Sequence, residues 1–322
     1  MTKADISTSP SAYRRSVMLR TAMGPAIAKA LSDDDVVEVM ANPDGRLWVD
    51  RHASGRTDSG VALTPGEAER IIRLVASHVG AECHANAPIV SAELPDTRER
   101  FEGVLPPVAS APCFSIRKPA RLAYRLTDYV SAGIATASMG AALADAVLAR
   151  RNIVIAGGTG SGKTTLANAL LAEIAETGDR LVILEDTREL ACAAEDQVAL
   201  KTKLGAADLR TLVRSTLRLR PDRIIIGEVR GGEALDFLKA WNTGHPGGLA
   251  TLHANSALGA LHRLEQLTEE AVATAPRAMI AEAVDLIVFI AGRGSQRRVE
   301  TLARVEGLSA DGGYALADLS TS

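Results

Sequence analysis

Aromatic residues make up only 3% of the 322-residue chain: two Trp, four Tyr and four Phe. A surface that holds single-stranded nucleic acid by stacking bases on successive rings would need more. Positive charge is not in excess either. Thirty-six Lys and Arg face 39 Asp and Glu, for a net charge of -3 and a pI near 6.1, so no chain-wide field draws the protein onto nucleic acid and any such contact would be local. Cys83, Cys113 and Cys192 stand far apart, with no CxxC spacing and an odd total. That excludes a disulfide framework or a cysteine zinc site and fits a reducing cytoplasm.

Long hydrophobic runs are missing too. The first 30 residues carry Lys3, Asp5, Arg14, Arg15 and Arg20 and no apolar core, so no secretory signal is visible. The longest weakly charged stretch, 130–149, is mostly Ala, Gly, Ser and Thr, and its Asp145 would cost about 2.5–3.5 kcal/mol at a bilayer centre. No transmembrane segment is expected. With 47% hydrophobic and 23% charged residues, the composition is that of a folded globular chain, and its length suggests about two domains.

Residues 1–12 are rich in Ser and Thr and read as a flexible N-terminus. An α+β N-terminal domain is expected over 13–117. It opens with a helix over 13–31, followed by a hairpin of VVEVMA and RLWVDR around Asn42-Pro43-Asp44-Gly45. Thr64-Pro65-Gly66-Glu67 has capping-box spacing with Pro at the first helical position, and Ile71, Ile72, Val75 and Val79 continue it as an amphipathic stripe. Short strands follow over 88–117, and 118–137 reads as an interdomain linker. From 138 to 322 the pattern changes to strand, loop, helix, strand. The runs NIVIA, LVILE, RIIIG and LATL are short, β-branched and nearly uncharged, as expected of strands in a parallel sheet covered on both faces. The overall class is α/β.

The strongest chemical signal is Gly157-Gly158-Thr159-Gly160-Ser161-Gly162-Lys163-Thr164-Thr165, which fits G-x-x-x-x-G-K-[ST] between a predicted strand and a predicted helix. Glycines let consecutive N–H groups face one centre, and the helix N-terminus adds positive potential for a polyphosphate. Lys163 supplies a compact cation, and Thr164 offers a hydroxyl to Mg²⁺, a hard ion that keeps several waters. ATP and Mg²⁺ are thus the expected ligands. Hydrolysis also needs a group that activates water. Glu228 closes the RIIIG strand and is the expected general base, with a structural ion pair as the alternative; the Asp usual one position earlier is Gly227. Glu185, Asp186 and Glu189 close the LVILE strand. Glu185 and Glu189 are read as site acids acting on magnesium through its waters, or as helix-capping or solvated acids.

GGTGSGKTT, LEDTREL, RIIIGEVRGGEA and GHPGGLATLHANS, in that order, resemble the secretion ATPase superfamily of type IV and type II systems, its conjugative-transfer members most closely. NPDGRLWVDR and RFEGVLPP share the resemblance, which therefore spans most of the chain. It implies a homo-hexameric ring in the cytoplasm, peripheral to the inner membrane and adjoining components of a type IV secretion channel. It also implies a RecA-like motor at 138–322 and an N-terminal domain that closes on nucleotide. Residues 157–165 match the Walker A loop, 185–189 the Asp box, Glu228 the Walker B acid and 245–253 the His box. Two N-terminal arginines, Arg100 and Arg117, match positions that reach the γ-phosphate, with Arg98 a near neighbour; the alternative is a surface ion pair with Glu99 or Glu102.

His253, at a strand end, is read as a neutral imidazole between the γ-phosphate and Glu228. His245 is open between site and structure, Arg230 between phosphate sensor and loop brace, and the Arg210, Arg214, Arg218 row between solvated face and subunit interface. The expected function is ATP hydrolysis that powers conjugative type IV secretion. A pilus or type II secretion ATPase, a DNA-translocating ring and a small-molecule kinase are the alternatives. The zinc-binding tetracysteine module familiar in type II members is absent.

Overall fold

A computed structural model describes residues 10–52, 54–94, 97, 99–119, 124–203 and 205–320. Of the N-terminal stretch read as flexible, 1–9 lies outside the described residues and 10–12 open a helix; Arg98 also lies outside them. The chain divides into two compact units, Met1–Pro119 and Ala120–Ser322.

The first unit is a six-stranded antiparallel sheet backed by two helices. Its elements are α1 (Pro10–Ser32), β1 (Val36–Ala41), β2 (Arg46–Arg51), β3 (Gly55–Ala62), α2 (Pro65–Val79), β4 (Ile89–Glu93), β5 (Arg100–Val104) and β6 (Cys113–Arg117), in sheet order β3-β2-β1-β6-β5-β4. The expected hairpin forms: Gly45 N–H donates to the Asn42 carbonyl at 2.9 Å, and β1 pairs antiparallel with β2. The α2 start carries the full capping box. Glu67 N–H donates to Thr64 Oγ1 at 3.3 Å and Thr64 N–H to Glu67 Oε2 at 2.7 Å, satisfying donors that a helix start otherwise leaves open. Ile71, Ile72 and Val75 are fully buried against Ile27, Val39 and Phe101. Val79, expected in the same stripe, is 43% exposed because the helix ends there at left-handed Gly80. The first helix is kinked where a straight one was expected, since Gly24 has φ 70° and Pro25 follows it.

The second unit contains α3 (Leu126–Ser131), α4 (Ala137–Leu148), β7 (Ile153–Ala156), α5 (Lys163–Ala175), β8 (Leu181–Glu185), β9 (Gln197–Lys201), α6 (Leu209–Thr216), β10 (Arg223–Val229), α7 (Glu233–Asn242), β11 (Leu249–Leu252), α8 (Ala257–Glu269), α9 (Arg277–Ala283), β12 (Leu286–Ala291), β13 (Arg298–Leu308) and β14 (Tyr314–Asp318). The sheet order is β14-β13-β12-β7-β11-β10-β8-β9. From β12 to β9 all neighbours run parallel, and β13 and β14 add antiparallel strands at one edge. Every residue of β7, β8 and β11 is buried. Ile153, Ile155 and Ile183 join the core under α3, α4 and α5, while Val154, Val182 and Leu184 join the core under α6 to α9. Alternate side chains thus serve opposite faces, which is why these runs read as continuously apolar. At about 1.5–3 kcal/mol for each buried Val, Leu or Ile, this double core fixes the strand ends from which the site is built.

Three segments differ from expectation. The interval 118–137, expected to be a linker, contains α3, whose Leu126 and Tyr129 are buried in the core of the second unit; six residues are too few to show helical periodicity. Strand β9 was not expected, because its alternating exposure marks an edge strand and not a buried run. The α6 basic row is partly an internal brace: Arg210 Nε and Arg214 Nε lie 2.8 and 3.0 Å from the two oxygens of Asp236 on α7. The weakly charged stretch 130–149 supplies α4 to this core, and among the described residues no helix is long and apolar enough to cross a membrane.

Candidate nucleotide site

Four parallel strands end side by side. The glycine-rich loop follows β7, His253 follows β11, Glu228 lies near the end of β10 and Glu185 ends β8. Because β11 lies between β7 and β10, the topology places His253 between the loop and Glu228. An extra residue in β10 sharpens this placement: Ile226 pairs with Ala250 but Val229 with Leu252, so the register shifts over Gly227 and Glu228. Thr251 Oγ1 donates to the Gly227 carbonyl at 2.5 Å at that bulge. Bulges re-aim side chains in this way.

The loop fits a phosphate cradle. Gly162, the residue before α5, has φ 98°, which an L side chain adopts only with strain. The Lys163 ammonium is buried and donates to the Gly157 and Gly158 carbonyls, both at 3.0 Å, and lies 3.3 Å from His253 Nδ1. His253 Nε2 is 2.7 Å from Glu228 Oε1. Burial first, then the neighbouring Lys163 charge, hold the imidazole below its ordinary value of 6.5, while Glu228 pulls the other way. A neutral ring is the net result at pH 7. Lys163 can then donate to Nδ1 only if Nε2 carries the proton, which points at Glu228. The second Glu228 oxygen accepts from Arg230 Nε at 2.8 Å. Arg230, open at the level of sequence between phosphate sensor and brace, therefore braces the acid here.

Glu185 is buried, and its Oε1 accepts the N–H groups of Glu189 and Leu190, both at 2.8 Å. Burial raises its pKa above the ordinary 4.5 despite those two bonds. This carboxyl also explains the missing acid at 227. A Cβ on Gly227 would stand 2.9 Å from Glu185 Cγ, so the neighbouring strand already fills that space. Glu189, held by this anchor, accepts from Thr164 Oγ1 at 3.3 Å. Thr164 and Glu189 form a hard-oxygen pair of the kind magnesium takes, and among the described residues no cluster of three or more His, Cys, Asp or Glu could hold an ion alone. A magnesium ion there would draw its other ligands from phosphate and water.

His245 is placed elsewhere. It precedes β11, at the other end of that strand from His253, and its Nδ1 lies 3.1 Å from the Pro221 carbonyl, which is a structural contact. In the first unit, Arg100 and Arg117 are direct cross-strand partners on β5 and β6. Each also faces a glutamate on its other neighbour, Arg100 opposite Glu93 on β4 and Arg117 opposite Glu38 on β1, so carboxylates flank the two guanidiniums within the sheet. What sequence reasoning missed is the short loop between β12 and β13, where Arg293 and Arg297 lie against the glycine-rich loop; no motif marks it.

Residues 67–304 match the family model described as "Type II/IV secretion system protein". The chain is 52% identical over 291 residues to the conjugal transfer protein TrbB of Rhizobium radiobacter, covering 90% of each. It is 35% identical over 319 residues to the type IV secretion system protein PtlH of Bordetella pertussis, covering 87% of this chain and 93% of that one. Among solved structures, the ATPase DotB of Legionella pneumophila superposes with a TM-score of 0.57 at 16% identity, over 99% of this chain and 82% of that one. That likeness supports the mixed α/β fold.

Proposed function

The chain belongs to the type II/IV secretion system protein family, and on that premise we propose that it hydrolyses ATP to power a conjugative type IV secretion apparatus. The observation that carries this reading is the run of contacts from Lys163 through His253 to Glu228 at the mouth of the glycine-rich loop. The identity to the conjugal transfer protein TrbB supports the conjugative assignment. In this reading the second unit, Ala120–Ser322, is a RecA-like motor, the first, Met1–Pro119, the N-terminal domain, and six copies form a ring in the cytoplasm at the inner membrane, beside the channel components it serves.

ATP is the substrate, and its phosphates lie along the backbone N–H groups of 157–165 with Lys163 as their cation. Thr164, with Glu189 acting through water, would hold a magnesium ion, which would offset phosphate charge. Glu228 is the general base that orients the attacking water. His253, neutral and protonated at Nε2, reports the occupancy of the loop to Glu228. When the phosphates draw Lys163 away from Nδ1, the ring is free to turn and the carboxylate to rotate toward water. Arg230 limits that rotation until then. Arg100 and Arg117 are assigned to the γ-phosphate, where two paired guanidiniums stabilise the charge of the transition state. Glu185 is the anchor of the loop that carries Glu189.

Replacing Glu228 with Gln tests the reading. The variant should bind ATP with about wild-type affinity while phosphate release falls at least about a hundredfold, the lower range for a positioned base. Turnover at the wild-type rate would remove Glu228 from that role.

A further inference from the structure

The loop between β12 and β13 is folded tightly on itself. Gly292 has φ 78°, and a Cβ there would stand 2.1 Å from the Gln296 carbonyl oxygen, so only glycine fits the turn. The turn carries two arginines to one place. A Cβ built on Gly162 would meet Arg297 Nε at 2.7 Å and its Cζ at 3.0 Å; one built on Gly160 would meet Arg293 Nε at 3.4 Å. The Arg297 guanidinium therefore fills the space that a side chain at Gly162 would need. Neither arginine has a carboxylate partner among the described residues. Arg297 Nε is buried with no hydrogen-bond acceptor, and the buried Ser161 Oγ of the same glycine-rich loop and the Tyr129 hydroxyl also lack partners.

An unpaired guanidinium beside a buried lysine and a helix N-terminus is electrostatically costly unless an anion meets it. Three orphaned polar groups around one loop also call for an explanation. A bound anion supplies one, since guanidinium groups bind phosphate oxygens in a planar fork.

We propose that Arg297, assisted by Arg293, is a phosphate-binding residue of the motor itself that holds the nucleotide at its α- and β-phosphates and so retains ADP as well as ATP. This rests on the reading of the glycine-rich loop as the nucleotide site. It separates two sets of arginines: those of the β12–β13 loop act on any nucleotide with a diphosphate, whereas Arg100 and Arg117 act only while a γ-phosphate is present.

Binding of a fluorescent ADP, displaced in turn by ADP, a non-hydrolysable ATP analogue and inorganic pyrophosphate, tests the assignment on the full-length protein. Arg297→Ala should weaken all three about tenfold, the order expected for one charge-assisted hydrogen bond. Arg297→Lys, which keeps the charge and loses the fork, should fall between Ala and wild type. Thermal unfolding of the nucleotide-free variants controls for folding. Affinities within twofold of wild type would overturn the proposal. Weakened ADP with unchanged pyrophosphate would move the contact to the base, and a lowered nucleotide-free melting temperature in both variants with matching affinity losses would reassign Arg297 as a brace of the loop; either result refutes it. If wild-type protein bound none of the three ligands, the nucleotide reading itself would fail.

Discussion

Replacing Glu185 separates an anchor from a catalytic acid. Its Oε1 accepts two backbone N–H groups at 2.8 Å. Removing the acceptor in Glu185→Ala strands two partly buried donors, at about 1–3 kcal/mol each. Partial access to water at the loop lowers the sum, so a loss of about 2–4 kcal/mol is expected in urea denaturation of the nucleotide-free protein. Glu185→Gln keeps an oxygen acceptor in the same place, so its stability should stay within about 1 kcal/mol of wild type and its turnover within about threefold. The pH dependence carries a sign. Burial places the folded pKa of Glu185 above its ordinary 4.5, so the folded state binds the proton more tightly than the unfolded one. Relative to Glu185→Gln, wild-type protein should therefore gain stability as pH falls from 7 through that raised pKa, and the difference should level off below 4.5. A hundredfold loss of phosphate release in Glu185→Gln would make the carboxylate a catalytic group. An Ala variant no less stable than the Gln variant would refute the anchor.

Two further predictions concern the rest of the site. The imidazole of His253 is held below 6.5 by burial and then Lys163, so the acid limb of kcat/KM against pH, which reports the free enzyme, should have its midpoint below 6.5, and His253→Gln should abolish that limb. Its contribution to stability, by the same sign logic, is complete above 6.5 and is lost as pH falls below it; a wild-type kcat/KM limb that belongs to His253 and is centred above 6.5 would contradict the neutral, Nε2-protonated ring. Arg100→Ala and Arg117→Ala should each lower kcat at least about tenfold, well within the range for arginines that touch a transferring phosphoryl group, with ADP affinity within twofold of wild type. An unchanged kcat in steady-state phosphate release would demote both to surface ions.

How much of this was legible depends on how local the signal was. The glycine-rich loop, the capping box at Thr64 and the four buried strands rest on spacing along the chain, and short-range chemistry dictates them. The order of the strands does not. Nothing within the LVILE and RIIIG runs says that β8 and β10 are neighbours, so the carboxyl of Glu185 over Gly227 could not be foreseen, and the absent acid at 227 read as a gap. Likewise Arg210 and Arg214 showed a basic face, but their acceptor, Asp236, lies on the following helix. Edge strand β9 and helix α3 were missed because an edge strand is not continuously apolar and a single helical turn and a half has no period to detect.

The strand order also accounts for which histidine matters. Both GHPGG and LHANS belong to one motif along the chain, yet a strand between them carries their ends to opposite sides of the sheet. Only residues at the carboxyl ends of β7, β11, β10 and β8 converge, because loops there leave the sheet together at the crevice that parallel α/β folds use for ligands. Lys163, His253, Glu228 and Arg230 are therefore consecutive in space although 90 residues separate the lysine from the histidine. These contacts join the lysine of the glycine-rich loop to the acid near the end of β10 through one imidazole. A neutral imidazole suits the middle position, since it accepts on one nitrogen while donating on the other, which neither a lysine nor a carboxylate at 253 would do.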